Sequence, residues 1–123
     1  MATERFIDDE GGIPTAQHRE PNANLLNLQE AVCDFCRRRG WTPDDDAKSL
    51  AMSIAIESAE IMEVFQWKRR NDPLTPREHE DLSLECADVL WYLLRLCAAQ
   101  DIDLVAALRK KIQINQTRFP EQT

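Results

Sequence analysis

LAMSIAIESAEIMEVFQW, residues 50–67, is apolar on nearly every side except at Glu57, Glu60 and Glu63. The stretch holds no Gly or Pro, and its apolar positions recur at helical spacing, so it reads as one long helix. A helix with so little polar surface is expected to be buried. Acidic side chains rarely enter such a setting without compensation, which makes the three glutamates the informative residues of the chain.

Working outward, the three glycines and six prolines all lie outside the windows 22–39, 44–72 and 77–119, a distribution that predicts helices in all three. In the first window Leu25, Leu28, Val32 and Phe35 mark one helix face, and Gly40 is placed to end it in a left-handed conformation. This predicts a first helix over 24–39. Asp44-Asp45-Asp46 puts carboxylates at the amino terminus of a second helix over 45–69, where the helix dipole favours them. Thr75-Pro76-Arg77-Glu78 is a capping box with proline at the first helical position, so a third helix is expected over 77–99. Asp101-Ile102-Asp103 then offers a cap for a fourth helix over 104–116. Short connections make neighbouring helices antiparallel, and the fold class is an all-α four-helix bundle. Residues 1–21 read as a flexible tail or an arm on a partner subunit, 22–120 as the domain, and 121–123 as a short end.

The chain has 123 residues, about one domain, and a net charge of −7 from 15 basic and 22 acidic residues. Such a balance is poorly suited to gripping a nucleic-acid polymer. No apolar run approaches the roughly 18 to 20 uncharged residues that a membrane span requires. The acidic start, with Glu4, Asp8, Asp9 and Glu10, is unlike a signal peptide. A cytoplasmic protein with reduced, mostly buried thiols is therefore expected from its four cysteines. Cys33-x-x-Cys36 has no second Cys or His pair at zinc-ligand spacing, and reads as core. Arg37-Arg38-Arg39 and Lys68-Arg69-Arg70 read as basic caps at helix ends.

Glu57 and Glu60 are three apart and therefore project from adjacent turns. The third helix repeats the arrangement with Glu85 and Asp88 inside LSLECADVLWYLL, residues 82–94. One such pair usually marks a solvated face. Two pairs of the same spacing in two apolar helices point instead to a shared site, because four buried like charges must attract either cations or protons. Antiparallel neighbours would bring the pairs to one level as an all-oxygen cage, suited to Mg²⁺ and also to Mn²⁺. A di-iron bundle needs Glu-x-x-His pairs, and the two histidines, His18 and His79, lie away from these helices' acidic pairs.

These residues resemble the MazG-like all-α nucleotide pyrophosphohydrolases, whose signature is Glu-x-x-Glu, a spacer, then Glu-x-x-Asp. ESAEIMEVFQWK at 57–68, LECADVLWYLL at 84–94 and KIQINQTRFP at 111–120 are similar to the dCTP pyrophosphatase branch, over about residues 24–120. The resemblance implies Mg²⁺-dependent hydrolysis of a nucleoside triphosphate between the α and β phosphates, in nucleotide-pool cleansing. It also implies a homo-oligomer, a dimer or a dimer of dimers. Glu57, Glu60, Glu85 and Asp88 would hold the metal, and Glu60 or Glu63 would orient or deprotonate the attacking water. Trp41 and Trp67 correspond to base-pocket positions, and Tyr92 to a contact made across a subunit interface. The branch carries a His nine residues before the first-helix Trp where this chain has Val32. dATP or a modified pyrimidine therefore stands beside dCTP as substrate.

The residues outside the metal signature agree with that implication without having produced it. Lys111, Asn115 and Arg118 are spaced four and three apart, and share one stripe if the last helix reaches that far. Two cations and an amide suit phosphate oxygens, although basic residues also cap helix ends. Trp41, Trp67 and Tyr92 offer flat rings on which a nucleobase can stack, although aromatics on apolar helices also serve as core. A related dUTP or phosphoribosyl-ATP pyrophosphohydrolase, and a non-catalytic helical adaptor, are the competing functional classes.

Overall fold

Each helix begins where a side chain can accept a hydrogen bond from an otherwise orphaned backbone N–H. Asn24 accepts from Asn27 N, Asp46 from Ser49 N, Thr75 from Glu78 N and Asp103 from Ala106 N. The computed structural model describes residues 24–41 and 46–122. Among them lie four helices and no strand: α1 Leu25–Arg38, α2 Ala47–Phe65, α3 Pro76–Ala99 and α4 Leu104–Arg118. No helix is long and apolar enough to cross a membrane. The expected tail 1–21 and the start of the acidic run, Asp44-Asp45, lie outside the described residues.

Two helix ends share one device. Gly40 adopts φ 68° after α1, and Trp41 N donates to Cys36 O while Gly40 N donates to Arg37 O, each at 3.1 Å. This is the left-handed closure anticipated for glycine, completed by an edge contact of the Trp41 ring on Phe35, centroids 5.7 Å apart. After α3 the same closure falls on Asp101, at φ 53°, with Ile102 N on Cys97 O and Asp101 N on Ala98 O. The acidic pair that splits the last window thus divides its work: Asp101 ends one helix and Asp103 starts the next.

Helix α2 stops four residues earlier than 69. Gln66 N and Lys68 N reach back only three residues, to Glu63 O and Phe65 O, and Asp72 Oδ2 accepts from Arg69 N. The chain tightens into a turn there, with the Lys68 side chain reaching across to Glu78 of α3. Helix α4 runs two residues beyond 116, far enough to put Lys111, Asn115 and Arg118 on one stripe.

Helix α3 is central, with α1 and α2 both packed on it. Gln29 Nε2 donates to Leu94 O at 2.9 Å, and the Phe35 ring meets Trp91 edge-on at 5.3 Å, so residues rising along α1 meet residues falling along α3. The side chains fully enclosed are Cys36, Leu50, Leu94 and Cys97, joined by the near-buried Arg95. Two of the four thiols are thus core, but Cys33 is half-buried and Cys86 exposed. All four are free.

The expectation that α2 is buried all round is corrected by the structure. Only Leu50 is enclosed, while Met52, Ile56 and Phe65 are exposed and Met62 is 71% exposed. The reason is that among the described residues α2 has one substantial packing partner, α3, and a helix apolar on several sides needs more than one. Helix α4 encloses no residue, and Leu108 and Ile112 lie open with the stripe of polar residues beside them.

Candidate functional site

Helices α2 and α3 meet as a hairpin whose contacts run in reverse order along the two partners. Lys68 Nζ reaches Glu78 Oε1 at 2.9 Å near the turn, and Glu57 and Glu60 face Glu85 and Asp88 further up. One carboxylate oxygen from each of those four residues falls within 4.8 Å of all the others. Spacing of three on each helix supplies two acids per wall, and the hairpin brings both walls to one level. Glu57, Glu60 and Glu85 are half-buried, and Asp88 opens to solvent.

The electrostatic consequence is visible in the protonation of the cluster. Glu85 is pushed up to about 7, first by a hydrogen bond shared with the Glu60 carboxyl, then by burial and by the charges of Glu60, Asp88 and Glu57. Glu57 is raised as well, chiefly by burial and then by its neighbour Glu60. A carboxyl that keeps its proton near neutrality is one way to relieve four crowded acids, and a cation is the other. The second oxygen of Glu85, Oε2, is buried with no hydrogen-bond partner. An enclosed, unsatisfied oxygen among three further carboxylates, with no nitrogen or sulfur donor in the set, fits a hard divalent ion such as Mg²⁺ or Mn²⁺.

The other residues singled out from the sequence are placed less uniformly. Glu63 sits one turn beyond Glu60, exposed and outside the four-acid cluster. Tyr92 follows Asp88 by one turn, half-buried, with the Arg95 guanidinium carbon 5.8 Å from its ring centre. Trp41 is half-exposed against Phe35, and Trp67 is 90% exposed at the end of α2. Lys111, Asn115 and Arg118 lie on exposed α4, where Arg118 covers the Phe119 ring at 5.1 Å. Among the described residues no hydrogen bond or ion pair joins those three to the carboxylates.

Two features escaped the sequence reading. Arg95 is a charged residue enclosed on α3, on the same face as Asp88 and Tyr92. Its signal, one cation inside the apolar run LWYLLRLC, was of the same kind that revealed the glutamates. Lys68 reads as a cap but crosses to Glu78, a pairing that no local pattern specifies.

Human dCTP pyrophosphatase 1 is 32% identical to this chain over 120 residues, which take in 91% of the chain and 71% of the human protein. The family is thereby decided. The chain belongs to the dCTP pyrophosphatase family, within the MazG-like all-α nucleotide pyrophosphohydrolases. The mouse protein of the same name is 31% identical over 104 residues, covering 81% of this chain and 61% of its own length. A solved pyrophosphatase structure from Archaeoglobus fulgidus superposes with a TM-score of 0.75 at 34% identity, over 84% of this chain and 98% of that one. No family model matches the chain. Membership makes it an enzyme of the nucleoside triphosphate pyrophosphohydrolase class.

Proposed function

We propose that the chain is a Mg²⁺-dependent enzyme that cleaves a deoxynucleoside triphosphate to the monophosphate and pyrophosphate, with a dCTP-like substrate preferred and dATP as the alternative. The observation that carries this reading is the convergence of one carboxylate oxygen each from Glu57, Glu60, Glu85 and Asp88, with Oε2 of Glu85 buried and without a hydrogen-bond partner. These four residues would hold the ion, and Mn²⁺ suits the same oxygens. When bound, the cation supplies charge neutralisation for the phosphate oxygens and a lowered pKa for the attacking water. Glu60 or Glu63 orients that water and takes its proton as oxygen attacks the α-phosphorus. The α–β phosphoanhydride bond breaks and pyrophosphate leaves with the bonding electrons.

Trp41, Trp67 and Tyr92 receive the base by stacking, and Lys111, Asn115 and Arg118 bind the phosphates. On the isolated chain Trp41, Trp67, Lys111, Asn115 and Arg118 are exposed and Tyr92 is half-buried. Assembly into a dimer, or a dimer of dimers, supports the reading because it would cover Met52, Ile56 and Met62 of α2 and Leu108 and Ile112 of α4. Tyr92 then acts on a neighbouring subunit's nucleotide. The cellular role that follows is cytoplasmic cleansing of the nucleotide pool, with no nucleic-acid polymer or membrane as partner.

Pyrophosphate release across the eight common NTPs and dNTPs, together with dUTP and phosphoribosyl-ATP, in the presence of Mg²⁺ tests the reading. Turnover is expected for a deoxynucleotide, with dCTP or dATP foremost. Turnover confined to dUTP or phosphoribosyl-ATP would move the chain to a sister activity. No turnover together with no Mg²⁺-dependent thermal stabilisation would leave the helical adaptor.

A further inference from the structure

The connection between α2 and α3, residues 66–75, is a built structure rather than a slack loop. Lys68 Nζ donates to Glu78 Oε1 at 2.9 Å and to Pro73 O at 3.0 Å. The same Glu78 oxygen accepts from Thr75 N at 2.9 Å, and Glu78 N donates to Thr75 Oγ1 at 3.2 Å. One carboxylate thus closes the capping box of α3 and anchors the end of α2. The pair is well shielded, with the two side chains only 16% and 30% exposed. Lys68 holds the Glu78 carboxyl down to about 2, with the Thr75 N–H assisting, so Glu78 stays ionised throughout the neutral range.

Glu60 lies eight residues before Lys68, the first five of them within α2, and Glu85 lies seven residues from Glu78 along α3. The α3 arm is about 10 Å long at 1.5 Å per residue, and the α2 arm ends in a three-residue turn. Between the arms stand four acids within 4.8 Å of one another, whose mutual repulsion opposes closure of the hairpin at that level. From this arrangement we infer that the Lys68–Glu78 pair is a positioning clamp for the metal site. It fixes the register in which Glu57 and Glu60 face Glu85 and Asp88 and holds that face closed before the ion arrives. Lys68 and Glu78 touch neither ion nor substrate. Their contribution is preorganisation, which matters most for Mg²⁺ because that ion tolerates little departure from octahedral geometry. This inference rests on the metal-site reading above.

The test is calorimetric titration of the full chain with Mg²⁺ and no nucleotide, comparing wild type with Lys68→Met, Glu78→Gln, the double variant and Lys68→Arg. Glu78→Gln keeps an oxygen for the Thr75 N–H while losing the ion pair, so it reports on the clamp even if Lys68→Met unfolds. Each single variant is expected to raise the Mg²⁺ dissociation constant about five-fold, as for a site whose competent form is populated about one-fifth of the time. The double variant should lose no more than either single one, because the two residues act as a unit. Lys68→Arg, which keeps the charge, should bind Mg²⁺ more tightly than Lys68→Met. A lowered melting temperature with unchanged Mg²⁺ affinity overturns the clamp and leaves an ordinary stabilising ion pair. Independent, additive losses overturn it as well. Wild-type protein that binds no Mg²⁺ overturns the metal-site reading and the clamp together.

Discussion

Helices α2 and α4 carry similar cargo, apolar residues at helical spacing with a chemically purposeful stripe, and meet opposite fates. The acids of α2 find their counterparts on α3 within the same chain, since a connection of ten residues, 66–75, folds one helix directly onto the other. The stripe Lys111, Asn115, Arg118 on α4 is equally regular, and α4 encloses no residue. A site whose two walls are adjacent in sequence closes locally, whereas the α4 stripe meets no comparable wall among the described residues.

The sharpest way to break this contrast is to remove one acid from the hairpin and one cation from α4. Glu60→Ala and Glu85→Ala are each expected to lower pyrophosphate release about a thousand-fold or more at saturating Mg²⁺, with helicity by circular dichroism retained. Lys111→Ala should cost about ten-fold, the order of one charge-assisted phosphate contact. Equal losses at both places would make α4 as central to the reaction as the carboxylates.

Next in size is self-association. Met62→Asp on α2 and Ile112→Asp on α4 each place a charge on an open apolar face. Losing about 1.5 to 3 kcal/mol of burial should weaken assembly by about ten- to a hundred-fold, as read by sedimentation. A wild-type chain that sediments as a monomer at micromolar concentration would remove the assembly from the argument.

A smaller effect sharpens the hairpin half of the comparison through pH. Glu85 holds its proton up to about 7 in the folded chain, against 4.5 for an ordinary glutamate. Between those values the folded state binds more protons than the unfolded one, so without Mg²⁺ this carboxyl's contribution is full below 4.5 and is lost as pH rises through 7. Metal ligands must be deprotonated, so the melting-temperature increase caused by Mg²⁺ should be larger at pH 8 than at pH 5.5. An increase independent of pH would detach the ion from Glu85.

How much of this was legible beforehand follows the same division. The helices were readable because each start is a local bargain between one side chain and one N–H, and Asn24, Asp46, Thr75 and Asp103 all make that bond. The convergence of Glu57, Glu60, Glu85 and Asp88 was readable because helical spacing fixes direction and a short connection fixes register. The burial of α2 was misjudged, since the sequence says how apolar a helix is and not how many partners it meets. The Lys68–Glu78 pair and the enclosure of Arg95 depend on where two helices touch, which no local spacing encodes. Trp41 was found as a candidate, but the ring that supports it, Phe35, became apparent only from the closure around Gly40.

The smallest expected effect concerns the α3–α4 corner. Asp101 is a residue with a β-carbon in the left-handed region, at φ 53°, where Gly40 does the corresponding work for α1. Asp101→Gly should raise stability by about 0.5 to 1 kcal/mol in chemical denaturation, unless the gain is offset by the greater freedom of the unfolded glycine. A loss greater than about 1 kcal/mol would mean that the aspartate side chain itself secures the corner.

That corner has a further implication for architecture. Its two closing bonds are followed at once by the Asp103 cap, leaving no slack between the end of α3 and the start of α4. No residue of α4 is enclosed among the described residues, yet its bearing is set from behind as firmly as a spar stepped into a mast. Any assembly built through α4 would take its symmetry from this elbow, and would forfeit less orientational freedom on docking than one that had to capture a swinging tail.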